Sequence, residues 1–189
     1  VNPKARIITD NPHYPQLPDN WVLTTIDSVC NYGHCTSVSV ENIKNDDWIL
    51  ELEDVEKDSG RVIEKKTKAC RNISGVRHQF NEGNVLYSKL RTYLNKVLLA
   101  TEEGYCSTEI VPISCYRCIL PQYLCHWLRS PYFLNYTFSC GYGVKMPRLS
   151  TSDAKNGLIP LPPTNEQRQI ISKLEILFSL LNNLSNHLS

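Results

Sequence analysis

The residues best suited to chemistry form a short basic segment, residues 87–96, which carries three cations and four hydroxyl groups but no acid. Cations and hydroxyl groups bind the phosphates of a nucleic acid, and such contacts position a protein and weaken as salt rises. We therefore predict four DNA contacts from this segment: Ser88, Lys89, Arg91 and Lys96. The alternative interpretation is a strand and turn whose basic side chains simply face water.

A second candidate is a glycine-hinged basic loop at residues 141–150. Its glycines lack a Cβ atom and would let the chain approach a phosphate backbone closely. An arginine in such a loop can donate two hydrogen bonds to guanine O6 and N7. We predict DNA contacts here by Tyr142, Lys145 and Arg148. The alternative is that the Met-Pro pair within the loop only fills the core beneath it.

The eight cysteines raise the question of a metal site. Cys115 and Cys118 have the spacing of a zinc-ligand pair, and Cys125 and His126 follow downstream. A structural zinc site needs two matched pairs, however, and adjacent residues of a helix point in different directions. We therefore expect buried or incidental reduced thiols and neither a metal nor a cofactor, with zinc binding as the open alternative.

The sequence predicts no catalytic residue. Residues 11–14, Asn-Pro-His-Tyr, superficially resemble the Asn-Pro-Pro-Tyr motif of adenine methyltransferases, but no glycine-rich cofactor loop accompanies them. The sequence also lacks a P-loop, a nucleophile elbow and a carboxylate cluster of the restriction-nuclease kind. We therefore expect a binding protein and not an enzyme.

Length, charge and hydropathy limit the possible classes of protein. With 189 residues and 41% apolar content, the chain can bury one core of average size. Twenty basic and nineteen acidic residues give a formal net charge of +1, which neither requires nor excludes a nucleic-acid partner. The sequence contains no signal peptide and no apolar run of about 18 residues. We therefore expect a cytoplasmic protein with no membrane partner.

Strand patterns come first along the chain and helix patterns later, which predicts an α+β fold with a mixed sheet. The predicted strands are residues 48–52, 85–90, 96–100 and 108–113. A turn at residues 58–60 makes the first of these part of a hairpin, and Pro112 places the last at an edge or a strand end. Residues 123–129 and 132–136 have helical spacing, and Pro131 suits the first turn of the second helix.

The C-terminal sequence predicts a long helix that begins after a Pro-rich break. Thr164 and Gln167 have the spacing of a capping box, and apolar residues then recur by four and three as in a coiled-coil seam. The predicted helix-pairing residues are Ile170, Leu174, Leu177, Leu181, Leu184 and Leu188. We therefore divide the chain into an N-terminal arm (1–16), a folded domain (17–160) and a pairing helix (161–189).

Five segments, in this order, resemble the target recognition domain of the DNA-specificity subunit of Type I restriction-modification systems. They are residues 83–96, 106–110, 128–133, 143–149 and 160–170. The resemblance spans residues 17–189. It implies an α+β target recognition domain followed by a long coiled-coil-type helix.

The resemblance implies a non-catalytic reader of double-stranded DNA. In that family each target recognition domain reads one half of a bipartite target, and long paired helices hold two such domains at a fixed separation. Modification subunits methylate adenine with S-adenosylmethionine, which thus belongs to the partner methyltransferase, and a restriction motor subunit can cut. This chain has one domain and one helix, so we expect a half-subunit or a fragment. Its helix would join a second copy, as a homodimer, or a second recognition domain.

Base recognition is expected where the chain matches the family least, at residues 31–45, 65–79 and 141–142. Arg77 lies in the second of these stretches and can pair with a purine base, so we add it to the predicted DNA contacts. The rival function is a dimerising or protein-interaction scaffold without specific DNA binding. Salt-dependent DNA affinity would exclude that function.

Overall fold

The computed structural model describes residues 17–140 and 147–188, with the side chains of residue 182 and of residues 185–188 excepted. The predicted N-terminal arm, including residues 11–14, therefore lies outside the described residues. So do Tyr142, Lys145 and the side chain of Leu188.

The described residues contain ten strands and five α-helices, in an order that confirms the predicted α+β class. The strands are β1 (Val22–Thr25), β2 (Thr36–Ser39), β3 (Trp48–Leu50), β4 (Lys66–Thr67), β5 (Val76–Phe80), β6 (Val85–Ser88), β7 (Val97–Leu99), β8 (Gly104–Cys106), β9 (Ile110–Ile113) and β10 (Leu158–Leu161). The helices are α1 (Ile26–Val29), α2 (Pro121–Arg129), α3 (Pro131–Cys140), α4 (Thr151–Asn156) and α5 (Thr164–Leu188).

The strands form three sheets. A three-stranded antiparallel sheet has the order β7-β6-β9, and a five-stranded mixed sheet has the order β2-β5-β8-β3-β4. The third sheet is the antiparallel pair β1 and β10. Pro112 lies in the edge strand β9, as predicted, because an edge position does not need the amide hydrogen that proline lacks. The predicted hairpin is reduced to one bridge between Val55 and Val62, and β3 pairs with β4 instead.

The three-stranded sheet is covered on both faces. Side chains such as Val85 and Tyr87 belong to the main core cluster with helices α2 and α3. The alternate residue, Leu86, belongs to a second cluster with Trp48 and Phe80 of the five-stranded sheet. Burial on both faces explains why these strands have nearly continuous apolar sequences. Each fully buried large apolar side chain contributes about 1.5–3 kcal/mol, so this sheet contributes much of the stability of the domain.

Helix α5 spans 25 residues and confirms the predicted long C-terminal helix. It begins directly after the Pro-rich break, where the Pro163 carbonyl accepts hydrogen bonds from the amides of Glu166 and Gln167. The predicted capping box is wrong, because the Gln167 amide group reaches away from the helix. It accepts from the Leu120 amide at 2.9 Å and donates to the Cys118 and Pro162 carbonyls, both at 2.9 Å. Gln167 therefore fastens the helix to its own domain.

Glu166 adds a second attachment at the base of α5. Its carboxylate accepts hydrogen bonds from the Asn20 side chain and, at 2.7 Å, from the Trp21 indole. A carboxylate in the first turn also interacts favourably with the helix dipole. The two neighbouring residues thus attach the first turn of the helix to two separate segments, residues 20–21 and 118–120. Among the residues described, no helix is long and apolar enough to span a bilayer.

Candidate nucleic-acid interface

The turn after β6 holds the predicted DNA-contacting segment in a defined shape. Arg91 and Asn95 both adopt the left-handed conformation, with φ of 51° and 50°, on either side of a 3₁₀ turn. This conformation costs a non-glycine residue about 1 kcal/mol, so tertiary contacts must maintain it. Thr137 donates to the Thr92 hydroxyl at 3.1 Å, and the Asn95 side-chain amide donates to the Arg129 carbonyl at 3.2 Å. The turn is therefore anchored to helices α2 and α3.

Two segments that are distant in sequence meet at this turn. The Arg91 amide donates to the Pro147 carbonyl at 2.7 Å, and the Leu149 amide donates to the Lys89 carbonyl at 2.9 Å. These bonds flank an antiparallel bridge between Leu90 and Arg148. The fold thus places Lys89, Arg91 and Arg148 on neighbouring segments. We call these three residues the basic patch.

The three cations of the basic patch differ in their electrostatic environment. Arg148 forms a paired contact with Glu109, through Nε to Oε2 at 3.2 Å and Nη2 to Oε1 at 2.5 Å, so its charge is largely balanced. Lys89 and Arg91 form no ion pair with any other described residue. Burial raises the pKa of the nearby Cys35 thiol, and the positive charge of Lys89 partly opposes that shift. Lys89 and Arg91 are therefore the cations most free to bind a phosphate.

Three other predicted contacts are already engaged within the protein. Ser88 is 4% exposed and its hydroxyl donates to the Leu90 carbonyl at 2.8 Å. The Lys96 ammonium donates to the Leu52 carbonyl at 2.7 Å. The Arg77 Nε donates to a carboxylate oxygen of Glu51 at 2.8 Å, and the Arg77 side chain is 14% exposed. To contact DNA through these donors, the protein would first have to give up an internal contact.

The polar stretch at residues 65–79 is held by charged side chains that sequence reasoning did not connect. Arg71 pairs with the buried carboxylate of Asp54, which in turn accepts from the Glu51 amide at 2.7 Å. Arg71, Arg77 and Glu51 line a polar cleft of about 340 Å³. Asn72 stands exposed at this cleft and can donate and accept hydrogen bonds.

One exposed aromatic residue at the basic patch was not among the predicted contacts. Tyr93 lies in the 3₁₀ turn between Arg91 and Asn95 and is 42% exposed. A large exposed aromatic side chain on an anchored basic turn can stack on a sugar or base. The sequence signal was present as a hydroxyl within the basic segment, but its exposure depends on the turn geometry.

The predicted helix-pairing residues fall into two groups. Ile170 and Leu174 face their own domain and, with Phe178, line an apolar groove of about 510 Å³ beside Tyr123 and Trp127.

Farther along the helix, Leu177, Leu181 and Leu184 are 54%, 57% and 60% exposed. The neighbouring Ile176 and Leu180 are exposed to a similar extent. The distal part of the helix therefore presents a continuous apolar face that no described residue covers, and a face of this kind marks an interaction surface.

The cysteines are free thiols in this structure. Within residues 17–140 and 147–188, no three His, Cys, Asp or Glu side chains converge as a metal ion would require. Burial raises the pKa of Cys115 to about 12 and that of Cys125 to about 11. These two thiols are therefore protonated at neutral pH.

Comparison with known proteins agrees with this architecture. The chain is 26% identical over 169 residues to the EcoDI specificity subunit of a Type I restriction enzyme of Escherichia coli, covering 89% of this chain and 37% of that subunit. It is 30% identical over 74 residues to the EcoBI specificity subunit of the same organism, covering 39% and 16% of the two chains. The chain thus spans well under half the length of these relatives.

Solved structures show the same fold. The HsdS subunit from Thermoanaerobacter tengcongensis superimposes with a TM-score of 0.76 at 24% identity, over 94% of this chain and 46% of that one. The S subunit of a Type I system from M. genitalium superimposes with a TM-score of 0.60 at 18% identity, over 93% and 44%. The family described as the Type I restriction modification DNA specificity domain matches residues 18–189. With nearly the whole chain matched, this protein belongs to the Type I restriction-modification DNA specificity family.

Proposed function

We propose that this chain is the DNA-reading half of a Type I specificity subunit and is itself non-catalytic. It would read one half of a bipartite target and direct the adenine methyltransferase and restriction subunits to it. The observation that carries this proposal is the juxtaposition of residues 89–91 with 147–149, which gathers cations from distant segments at one anchored turn. Residues 17–160 would form the target recognition domain and 161–189 the pairing helix.

The basic patch would bind the DNA backbone mainly through Lys89 and Arg91. Both lack an internal ion pair among the described residues, so phosphate binding does not require an existing contact to break. Their turn is fixed before binding, which lowers the entropic cost of ordering the interface. Tyr93 would add stacking, and Tyr142 and Lys145 remain predicted DNA contacts in the sequence segment before Pro147.

The test is the salt dependence of binding to short random-sequence DNA duplexes by the full chain. Lys89→Ala and Arg91→Ala should each weaken binding to all sequences, and each should reduce the slope of log K against log salt by about 0.9. Arg117→Ala is the matched control, because Arg117 is also exposed but lies in the turn before α2. Slopes of both variants equal to that of Arg117→Ala would remove the basic patch from the DNA interface.

The exposed distal face of α5 would pack on a second long helix. At about 1.5 Å per residue, its 25 residues measure about 37 Å, close to the 34–36 Å of one turn of B-DNA. Two recognition domains held by such helices could face the same side of the duplex. If the second helix comes from another copy of this chain, two-fold symmetry requires an inverted-repeat target.

The assembly is tested by sedimentation of the chain, alone and with a modification subunit, followed by methylation sequencing of DNA treated with the complex and S-adenosylmethionine. A dimer whose complex methylates adenines in a bipartite inverted repeat supports a half-subunit. A monomer that directs no methylation and binds DNA without salt dependence would favour the scaffold function instead.

A further inference from the structure

Cys30 and Cys115 face each other across an isolated antiparallel bridge next to the base of α5. The flanking hydrogen bonds run from the Asn31 amide to the Ser114 carbonyl at 3.1 Å and from the Tyr116 amide to the Val29 carbonyl at 2.8 Å. This pattern defines a non-hydrogen-bonded pair, in which the Cα atoms lie about 4.5 Å apart and the side chains share a face. A disulfide needs Cα atoms about 4.4–6.8 Å apart. The backbone therefore already has the geometry for a disulfide.

The two sulfur atoms of this pair are poor reactants by themselves. Cys30 is fully buried and its thiol donates to the Ile26 carbonyl at 3.2 Å, while Cys115 is half-buried against the same core. Burial raises the pKa of each thiol from about 9 to about 12. Compared with a thiol of ordinary pKa, each of these thiols has a roughly thousandfold smaller thiolate fraction at neutral pH. A more basic thiolate is also more nucleophilic, which partly offsets this loss, so attack on an oxidant is slower by roughly 30-fold.

Cys118 supplies the accessible thiol that the buried pair lacks. It is exposed and lies three residues after Cys115, in a turn closed by the Ile119 amide on the Tyr116 carbonyl at 3.2 Å. Besides burial, the electrostatic interaction with Cys118 raises the pKa of both Cys30 and Cys115.

We propose that Cys118, Cys115 and Cys30 form a thiol relay through which a low-molecular-weight disulfide converts Cys30 and Cys115 into a buried disulfide. The Cys118 thiolate first attacks one sulfur of the oxidant, forms a mixed disulfide and releases one thiol. The Cys115 thiolate then attacks the Cys118 sulfur and releases the second thiol. Finally the Cys30 thiolate attacks the Cys115 sulfur, and Cys118 leaves as a thiolate that takes up a proton.

The net reaction balances, because two cysteine thiols lose two protons and two electrons and one external disulfide becomes two thiols. Its product ties helix α1 to the segment that holds α5. That segment supplies the Cys118 carbonyl and the Leu120 amide to the buried side chain of Gln167. The disulfide therefore fixes the attachment of the long helix.

The experiment treats the full chain with oxidised glutathione and maps disulfides by mass spectrometry of peptides. We expect a Cys30–Cys115 crosslink and a rise in the thermal midpoint of about 5 °C or more, because the bond closes a long loop. In Cys118→Ser the crosslink should form roughly 30-fold more slowly. In Cys115→Ser the mixed disulfide should remain on Cys118.

Cys70→Ser is the matched control, since Cys70 is exposed but lies in a different turn. Thermal melts of the reduced variants verify that each is folded. If glutathione modifies Cys70 and Cys118 but the Cys30–Cys115 crosslink does not form, the proposal is wrong. Equal crosslinking rates in Cys118→Ser and Cys70→Ser would overturn the relay.

Discussion

Gln167 offers the sharpest test of how the long helix is attached. Its side chain is 0% exposed and makes three hydrogen bonds, each 2.9 Å long, to the Leu120 amide and to the Cys118 and Pro162 carbonyls. Replacement by alanine removes all three and leaves their partners without the side chain that satisfies them. Each buried group left without a hydrogen bond costs about 1–3 kcal/mol. The total is smaller than three full penalties, because water can reach those partners that are partly exposed. We therefore expect Gln167→Ala to lower the free energy of unfolding by about 3 kcal/mol.

The assay is urea unfolding of the full chain followed by circular dichroism. Gln169→Ala is the matched control, because Gln169 is an exposed glutamine two residues farther along the same helix. An exposed substitution of this kind changes stability by less than about 0.5 kcal/mol. Gln167→Glu should destabilise the protein as well, because its carboxylate would face two carbonyl oxygens without a hydrogen to donate.

A loss of stability in Gln167→Ala no larger than that in Gln169→Ala would show that these three hydrogen bonds do not attach the helix. It would mean that the burial of α5 against its domain, and not the glutamine, attaches the helix. An unchanged midpoint with a smaller m-value would instead indicate that the base of the helix is already open in the native state.

Three further predictions concern packing, protonation and the helix face. In Gly60→Ala the new Cβ would collide with the Val97 carbonyl, so we expect the free energy of unfolding to fall by more than about 2 kcal/mol. Gly83 also has a positive φ but faces open space, so Gly83→Ala should lower the free energy of unfolding by only about 1 kcal/mol. Urea unfolding measures both. Burial lowers the pKa of His126, so the unfolded chain binds the proton more readily and stability should fall as pH drops below about 6.5. The variant His126→Gln should remove that dependence in melts at pH 7 and pH 5. Leu181→Glu should abolish helix pairing in sedimentation but leave the thermal midpoint of the dilute monomer unchanged, since Leu181 is exposed within the chain.

The sequence predicted seven of the fifteen described elements, β3, β6, β7, β9, α2, α3 and α5, because their signals are local. Pro121 and Pro131 begin α2 and α3, and the apolar spacing of α5 holds along its length. The capping box failed for a physical reason. The pattern of Thr164 and Gln167 is compatible with a local cap, but the glutamine finds stronger partners 47 and 49 residues away.

In the candidate site, too, local features could be predicted from sequence and long-range contacts could not. Sequence identified the two basic segments, but not which of their cations remain free. That property depends on acids distant in sequence, such as Glu109 beside Arg148 and Glu51 beside Arg77. No spacing rule connects such pairs. The placement of residues 89–91 beside residues 147–149 likewise depends on a bridge between segments that only the folded chain brings together.

The attachment of α5 through its first turns makes the helix a lever. The helix pivots where Glu166 and Gln167 contact the domain, and no described residue covers its distal apolar face. A tilt of about 10° at the fulcrum displaces the end of a helix about 37 Å long by roughly 6 Å. Since successive base pairs rise by about 3.4 Å, that displacement amounts to nearly two base pairs. Under the proposed function, the hydrogen-bonded amide of Gln167 would therefore determine how accurately the distance between the two halves of a bipartite target is measured.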